Sequence, residues 1–128
     1  MINMSNKKLR VIVDLDGTIC ELRKTNETYS EVLPKAGAIE FLKKLKSEGH
    51  TIVIYTARNM GSQDHNIGKV LKNIGLITLE WLDKYQIPYD EIFFGKPNGD
   101  IIIDDRAMRL DSWDAVDLDK IIKLSKEK

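Results

Sequence analysis

At 128 residues the chain has the length of a single domain, read here as 1–128. Its 20 lysines and arginines balance 20 aspartates and glutamates, which argues against a protein built to grip nucleic acid or an anionic membrane. An apolar fraction of 42% is that of an ordinary globular core, while the apolar runs are far shorter than the roughly 20 residues of a membrane helix. The lone Cys20 cannot close an internal disulfide, and the polar, basic start over Met1–Arg10 carries no signal-peptide stretch. A cytoplasmic protein is expected, with no membrane partner and no nucleic-acid partner.

The first element is a short β-branched run, Leu9–Val13, that ends at Asp14. Continuous apolar runs of this kind suit strands buried on both faces, as in parallel sheets. Residues 19–33 are polar and read as an irregular flap. Pro34 then opens a helical pattern with Ala38, Phe41, Leu42 and Leu45 on one face, and Gly49 closes it. Thr51–Tyr55 is a second strand ending at Thr56, followed by a loop over 57–66. Two helical stretches come next, one through Val70, Leu71 and Ile74, the other around Leu79, Trp81 and Leu82 with Thr78 as a potential N-cap. Ile92–Phe94 reads as a third strand, Ile101–Ile103 as a fourth, and the tail from Asp117 as a closing helix. Alternation of this kind predicts an α/β domain with a mainly parallel, Rossmann-like sheet between helical layers.

In such sheets ligands sit beyond the carboxyl ends of the strands. Asp14 and Asp16 follow the first run, Thr56 and Arg58 the second, Lys96 the third, and Asp104 and Asp105 the fourth. Asp14-Leu15-Asp16-Gly17-Thr18 is not an EF-hand loop, because its glycine comes fourth and not sixth. Either it is a plain turn, or Asp14 serves as nucleophile or metal ligand with Asp16 as proton donor and acceptor, Gly17 allowing the sharp turn. Clustered carboxylates in a neutral protein call for a cation, and oxygen ligands near phosphate favour Mg²⁺. Thr56 and Lys96 supply the complementary hydroxyl and positive charge for phosphate oxygens. Arg58 and Asn59 either hold another part of the substrate or belong to a surface loop. His50 and His65 read as surface residues, Cys20 as no nucleophile, and Trp81 and Trp113 as core or subunit contacts.

The pattern resembles the haloacid dehalogenase superfamily of phosphohydrolases. Val11–Thr18 looks like its first motif, Ile54-Tyr55-Thr56 is similar to the second, Lys96 to the third, and Ile102-Ile103-Asp104-Asp105 to the fourth. Within it, Thr56–Met60, Asn66–Lys69, Pro88–Ile92, Gly95-Lys96-Pro97 and Ile103–Ala107 look like the small bacterial capsule-biosynthesis phosphatases. The resemblance implies a sugar- or polyol-phosphate substrate in surface-polysaccharide assembly. It also implies that Asp14 forms an aspartyl-phosphate, that Asp16 is general acid and base, and that Thr56 and Lys96 hold the phosphoryl oxygens. Mg²⁺ would be held by the Asp14 side chain, the Asp16 carbonyl and Asp104, with Asp105 direct or through water.

Two departures stand out. Neither 19–33 nor 57–90 has room for a large cap domain, so the site is open or is covered by a neighbouring copy in a homo-oligomer. Seven residues separate Lys96 from Asp104, so the link either stretches back to the sheet or forms a hairpin at Asn98-Gly99 that carries Lys96 away. The rival readings are a nucleotidase of the same superfamily, which the short link favours, and a receiver-like phosphoacceptor module. A receiver has its acid pair on the first strand and an aspartate in mid-chain, where this sequence has Thr56.

Overall fold

A computed structural model describes residues 7–126, so Met1–Asn6 of the polar start lie outside the described residues. Strands β1 (Arg10–Asp14), β2 (Thr51–Thr56) and β3 (Glu91–Phe94) form a parallel sheet in the order β1-β2-β3. Helices α1 (Ala38–Ser47), α2 (Ile67–Val70), α3 (Leu76–Lys84) and α4 (Leu118–Lys126) complete an α/β architecture without an inserted cap. Val13 lies opposite Ile54, Asp14 opposite Tyr55 and Thr56 opposite Phe94, which brings the carboxyl ends of all three strands to one edge.

Burial distinguishes the strands. The middle strand β2 is buried at Ile52, Val53 and Ile54, as a strand covered on both faces should be. The edge strand β1 departs from the expected double burial: Val13 is inside while Ile12 is exposed. Helix α1 buries Ala38, Phe41, Leu42 and Leu45, one stripe at helical spacing, against the sheet. It starts after Gly37 and stops at Gly49, both in the left-handed region, with Glu40 in its first turn and Lys44 and Lys46 in its last, each favourable to the helix dipole. Lys46 also pairs with Asp90, whose carboxylate accepts the Ile52 backbone N–H at 2.8 Å. That pairing, with Lys46 the larger influence, holds the Asp90 carboxyl below its ordinary range and ties the entry to β3 to the start of β2.

Both tryptophans fasten loops. The Trp81 indole donates to the Val32 carbonyl at 2.8 Å, pinning the flap to α3, and the Trp113 indole donates to the Thr18 carbonyl at 2.8 Å while its ring packs on Phe41. The flap itself is closed at its base, where Glu21 N–H bonds the Leu33 carbonyl and Cys20 bridges Pro34.

Three expectations need correction. His50 is fully buried: its Nδ1 accepts the Leu9 N–H at 3.0 Å, and its Nε2 has no partner among the described residues. Thr78 is no N-cap, because α2 and α3 are joined by a π-helical turn, Leu71–Gly75, and the cap of this longer helical run is Asn66, which accepts the Lys69 N–H. An α-helix turns about 100° per residue, so it would drift by about 80° between positions 70 and 78. The wider π turn absorbs the drift and lets Val70, Ile74, Thr78 and Leu82 all be buried. Finally, Ile101–Ile103 forms no strand and lies exposed, Ile103 at 97%. To pair in parallel beside β1 the chain would have to cross about three strand spacings, roughly 14 Å, and run back the length of the strand, which uses all the reach of the short link.

Candidate active site

The turn after β1 is organised by one carbonyl. Leu15 O accepts the N–H groups of Thr18, Ile19 and Cys20, and Gly17 N–H bonds Cys20 O at 2.8 Å. Gly17 sits at φ +84, which an L side chain rarely adopts, and a Cβ there would stand 3.2 Å from Leu22. Leu15 and Ile19 are driven into the core, which leaves Asp14 and Asp16, two residues apart, on the opposite side.

Each carboxylate meets a cation from another strand end, Asp16 from β2 and Asp14 from β3. Lys96 Nζ lies 3.1 Å from Asp14 Oδ1, and the Thr18 hydroxyl donates to Asp14 Oδ2 at 3.3 Å. The link after Lys96 therefore does not carry it away from the edge. Gly95, at φ +97, turns the chain, and Lys96 N–H bonds the Thr56 carbonyl at 3.0 Å. Thr56 is buried, and its hydroxyl accepts the Arg58 N–H at 3.0 Å.

Arg58 takes a position that sequence reasoning does not anticipate. It is 3% exposed, and its guanidinium grips Asp16 with two hydrogen bonds, Nε to Oδ2 at 3.0 Å and Nη2 to Oδ1 at 2.7 Å. Nη1 donates to the Thr78 hydroxyl at 3.1 Å, and the Tyr29 ring of the flap covers the guanidinium at 4.0 Å from the ring centroid. Asn59, at φ +64, is partly exposed and accepts a hydrogen bond from the Asn73 side chain. Thr18, Tyr29 and Thr78 thus join the site without having been assigned a part in it. The available signal for Arg58 was register: it stands two residues beyond Thr56, as Asp16 stands two beyond Asp14, on paired parallel strands.

Asp104 and Asp105 are not brought to this cluster. Both are exposed, and Asp104 Oδ1 accepts the Arg106 N–H at 2.7 Å. No group of three or more His, Cys, Asp or Glu side chains among the described residues is placed to hold a metal ion. The expected set of the Asp14 side chain, the Asp16 carbonyl, Asp104 and Asp105 does not fit a divalent cation as arranged here, because Asp104 and Asp105 stand apart and Lys96 already pairs with Asp14.

Cys20 lies beneath the Asp16–Arg58 pair, its thiol 3.5 Å from Asp16 Oδ1. Burial, aided by the charge of Asp16, raises its pKa from 9.0 to about 12. At pH 8 only about one molecule in 10⁴ then carries the thiolate, the reactive form. Iodoacetamide is expected to label the native protein about 10³-fold more slowly than the unfolded chain, read by mass spectrometry. The stability this buried thiol contributes is intact below pH 9.0 and is lost as pH rises to about 12, because the unfolded chain releases the proton first.

A sheet edge carrying two carboxylates two residues apart, each facing a cation from a different strand end, can offer a nucleophile and a proton-transfer group to a bound ligand. The profile of the haloacid dehalogenase-like hydrolases matches residues 11–128, and the chain belongs to that family. Hydrolases of this family generally use Mg²⁺. A crystal structure of a target protein from Vibrio cholerae is similar over 95% of this chain and 100% of its own, with 43% sequence identity and a TM-score of 0.81. No curated protein matches the chain. Among the described residues no helix is long and apolar enough to cross a membrane.

Proposed function

We propose that the chain is a phosphomonoesterase that works through an aspartyl-phosphate and acts on a small sugar- or polyol-phosphate, in the manner of the capsule-biosynthesis phosphatases it resembles. The observation that carries this reading is the pair Asp14 and Asp16 at the carboxyl edge of the sheet with Lys96 3.1 Å from the first of them. An Asp14 oxygen attacks phosphorus, the ester P–O bond breaks, and Asp16 gives a proton to the departing alkoxide. Water then attacks the phosphoryl group, Asp16 takes its proton, and the acyl-phosphate bond opens to free inorganic phosphate and Asp14. Lys96 orients Asp14 and offsets the repulsion between the carboxylate and the incoming dianion, and Thr56 hydrogen-bonds the phosphoryl oxygens. A metal-assisted version would require Asp104 and Asp105 to come to Asp14.

The absence of a cap leaves the edge open, which suits a phosphate carried on a bulky molecule, or a second copy of the chain acting as lid. The test is phosphate release from a panel of sugar, polyol and nucleoside monophosphates, with and without Mg²⁺. Selective turnover of sugar or polyol phosphates supports the reading. Preference for nucleoside monophosphates replaces it with the nucleotidase, and no release from any class sinks both.

A further inference from the structure

We infer that Arg58 is a positioning residue for Asp16, held in place by Tyr29 of the flap, and is not a ligand for substrate. This deepens the phosphomonoesterase reading and rests on it. The guanidinium has five N–H donors in a fixed fork, and four of them point at named partners. Two donors go to the two oxygens of Asp16, at 3.0 and 2.7 Å, one to Thr78 at 3.1 Å, and the Cys20 sulfur stands 3.7 Å from Nη2. The Tyr29 ring closes one face at 4.0 Å, and the Arg58 side chain has no exposed surface. A substrate phosphate would have to break this network to reach it.

The bidentate grip fixes the plane of the Asp16 carboxylate, which a single contact would leave free to rotate. Orientation is what a group needs that must hand a proton to one oxygen and take one from water at nearly the same place. Thr78 owes its inward position to the π turn, and Tyr29 packs with Met60, Val70 and Ile74. The flap, the 57–66 loop and the helical run after it therefore converge on the orientation of one carboxylate.

The experiment separates attack by Asp14 from the proton transfers of Asp16. A p-nitrophenyl ester departs without a proton, so its first turnover needs the nucleophile alone, while hydrolysis of the aspartyl-phosphate still needs Asp16 as base. Arg58→Gln, Arg58→Lys and Tyr29→Leu are compared with wild type on p-nitrophenyl phosphate by rapid mixing and on a polyol phosphate at steady state, with Mg²⁺ present. Arg58→Gln is expected to keep a burst of about one p-nitrophenolate per enzyme, with steady-state kcat on both substrates lower by about 10²-fold and KM within about threefold. Arg58→Lys is expected to recover little, because one ammonium cannot span both oxygens, and Tyr29→Leu to lose about fivefold in the same direction. Should Arg58→Gln not fold, the other two variants carry the test.

A tenfold or greater rise in KM at unchanged kcat would make Arg58 a substrate ligand and overturn the inference. Loss of the burst together with turnover in a folded variant would also overturn it, since Asp14 would then depend on Arg58. Wild-type protein that releases no product from either ester removes the phosphomonoesterase reading and the inference with it.

Discussion

Asp14→Asn is expected to reduce phosphate release by about 10⁴-fold or more while leaving the protein folded. The amide keeps the shape of the side chain and cannot act as the nucleophile, so the covalent intermediate is lost. The fold should tolerate the change because the Asp14–Lys96 pair is partly solvated, with 32% and 20% of the two side chains exposed. A pair of that kind contributes about 1 kcal/mol or less. Acid-quench trapping with a labelled substrate checks the mechanism: wild type should retain protein-bound phosphate and Asp14→Asn none. Label retained at another residue in Asp14→Asn would refute the assignment of the nucleophile. Asp16 calls for a different substitution. Alanine there would strand the buried Arg58 guanidinium without its carboxylate, which costs about 3–5 kcal/mol and would mix unfolding with chemistry. Asn is the cleaner replacement, and a fall of about 10²–10⁴ in kcat is expected from it.

Ile54→Ala should give the largest loss of stability of any conservative truncation in the sheet, about 2–5 kcal/mol. Ile54 is fully buried on the middle strand, opposite Val13 of β1 and Ile92 of β3. The sheet on both sides of it is fixed by backbone ladders, so the space left by the missing methyl groups cannot readily close. Urea unfolding monitored by Trp81 and Trp113 fluorescence measures the effect. A loss under 1 kcal/mol would mean that the sheet relaxes around the gap. The substitution lies two residues before Thr56, so activity of the folded fraction is expected to fall as well.

Most of the frame is legible in the sequence because it rests on local patterns. The β-branched runs at 11–13 and 52–54 and the helical stripe of α1 need no knowledge of their neighbours to be recognised. The misreadings arise where the neighbour decides. Ile101–Ile103 has the composition of a strand, yet a strand needs an edge to pair with, and the short link leaves no slack to reach one. His50 looks like a polar residue at a helix–strand junction, but the Leu9 N–H finds its acceptor there and draws the ring inside. The break between two apparent helices at 70–82 is a change of period inside one run, which counting at 3.6 cannot detect. Among the site residues, Asp14, Asp16, Thr56 and Lys96 are placed by simple position after a strand. Arg58 lies in the expected neighbourhood with a different partner, because charge alone does not say whether a cation faces outward to a ligand or inward to an acid.

The π turn between α2 and α3 also bears on how this region can change in length. Loops usually absorb insertions and deletions, and helices seldom do. Removing one residue between Leu71 and Gly75 would let the turn relax into an ordinary α-helix, which is locally favourable. Thr78 would then stand seven residues beyond Val70, about 700° round the axis and within about 20° of its present direction, so Thr78 would still face Arg58 and Trp81 the flap. The extra residue is taken up inside the helix, and the stretch from 71 to 75 is one place in a helix where the loss of a single residue is expected to be tolerated.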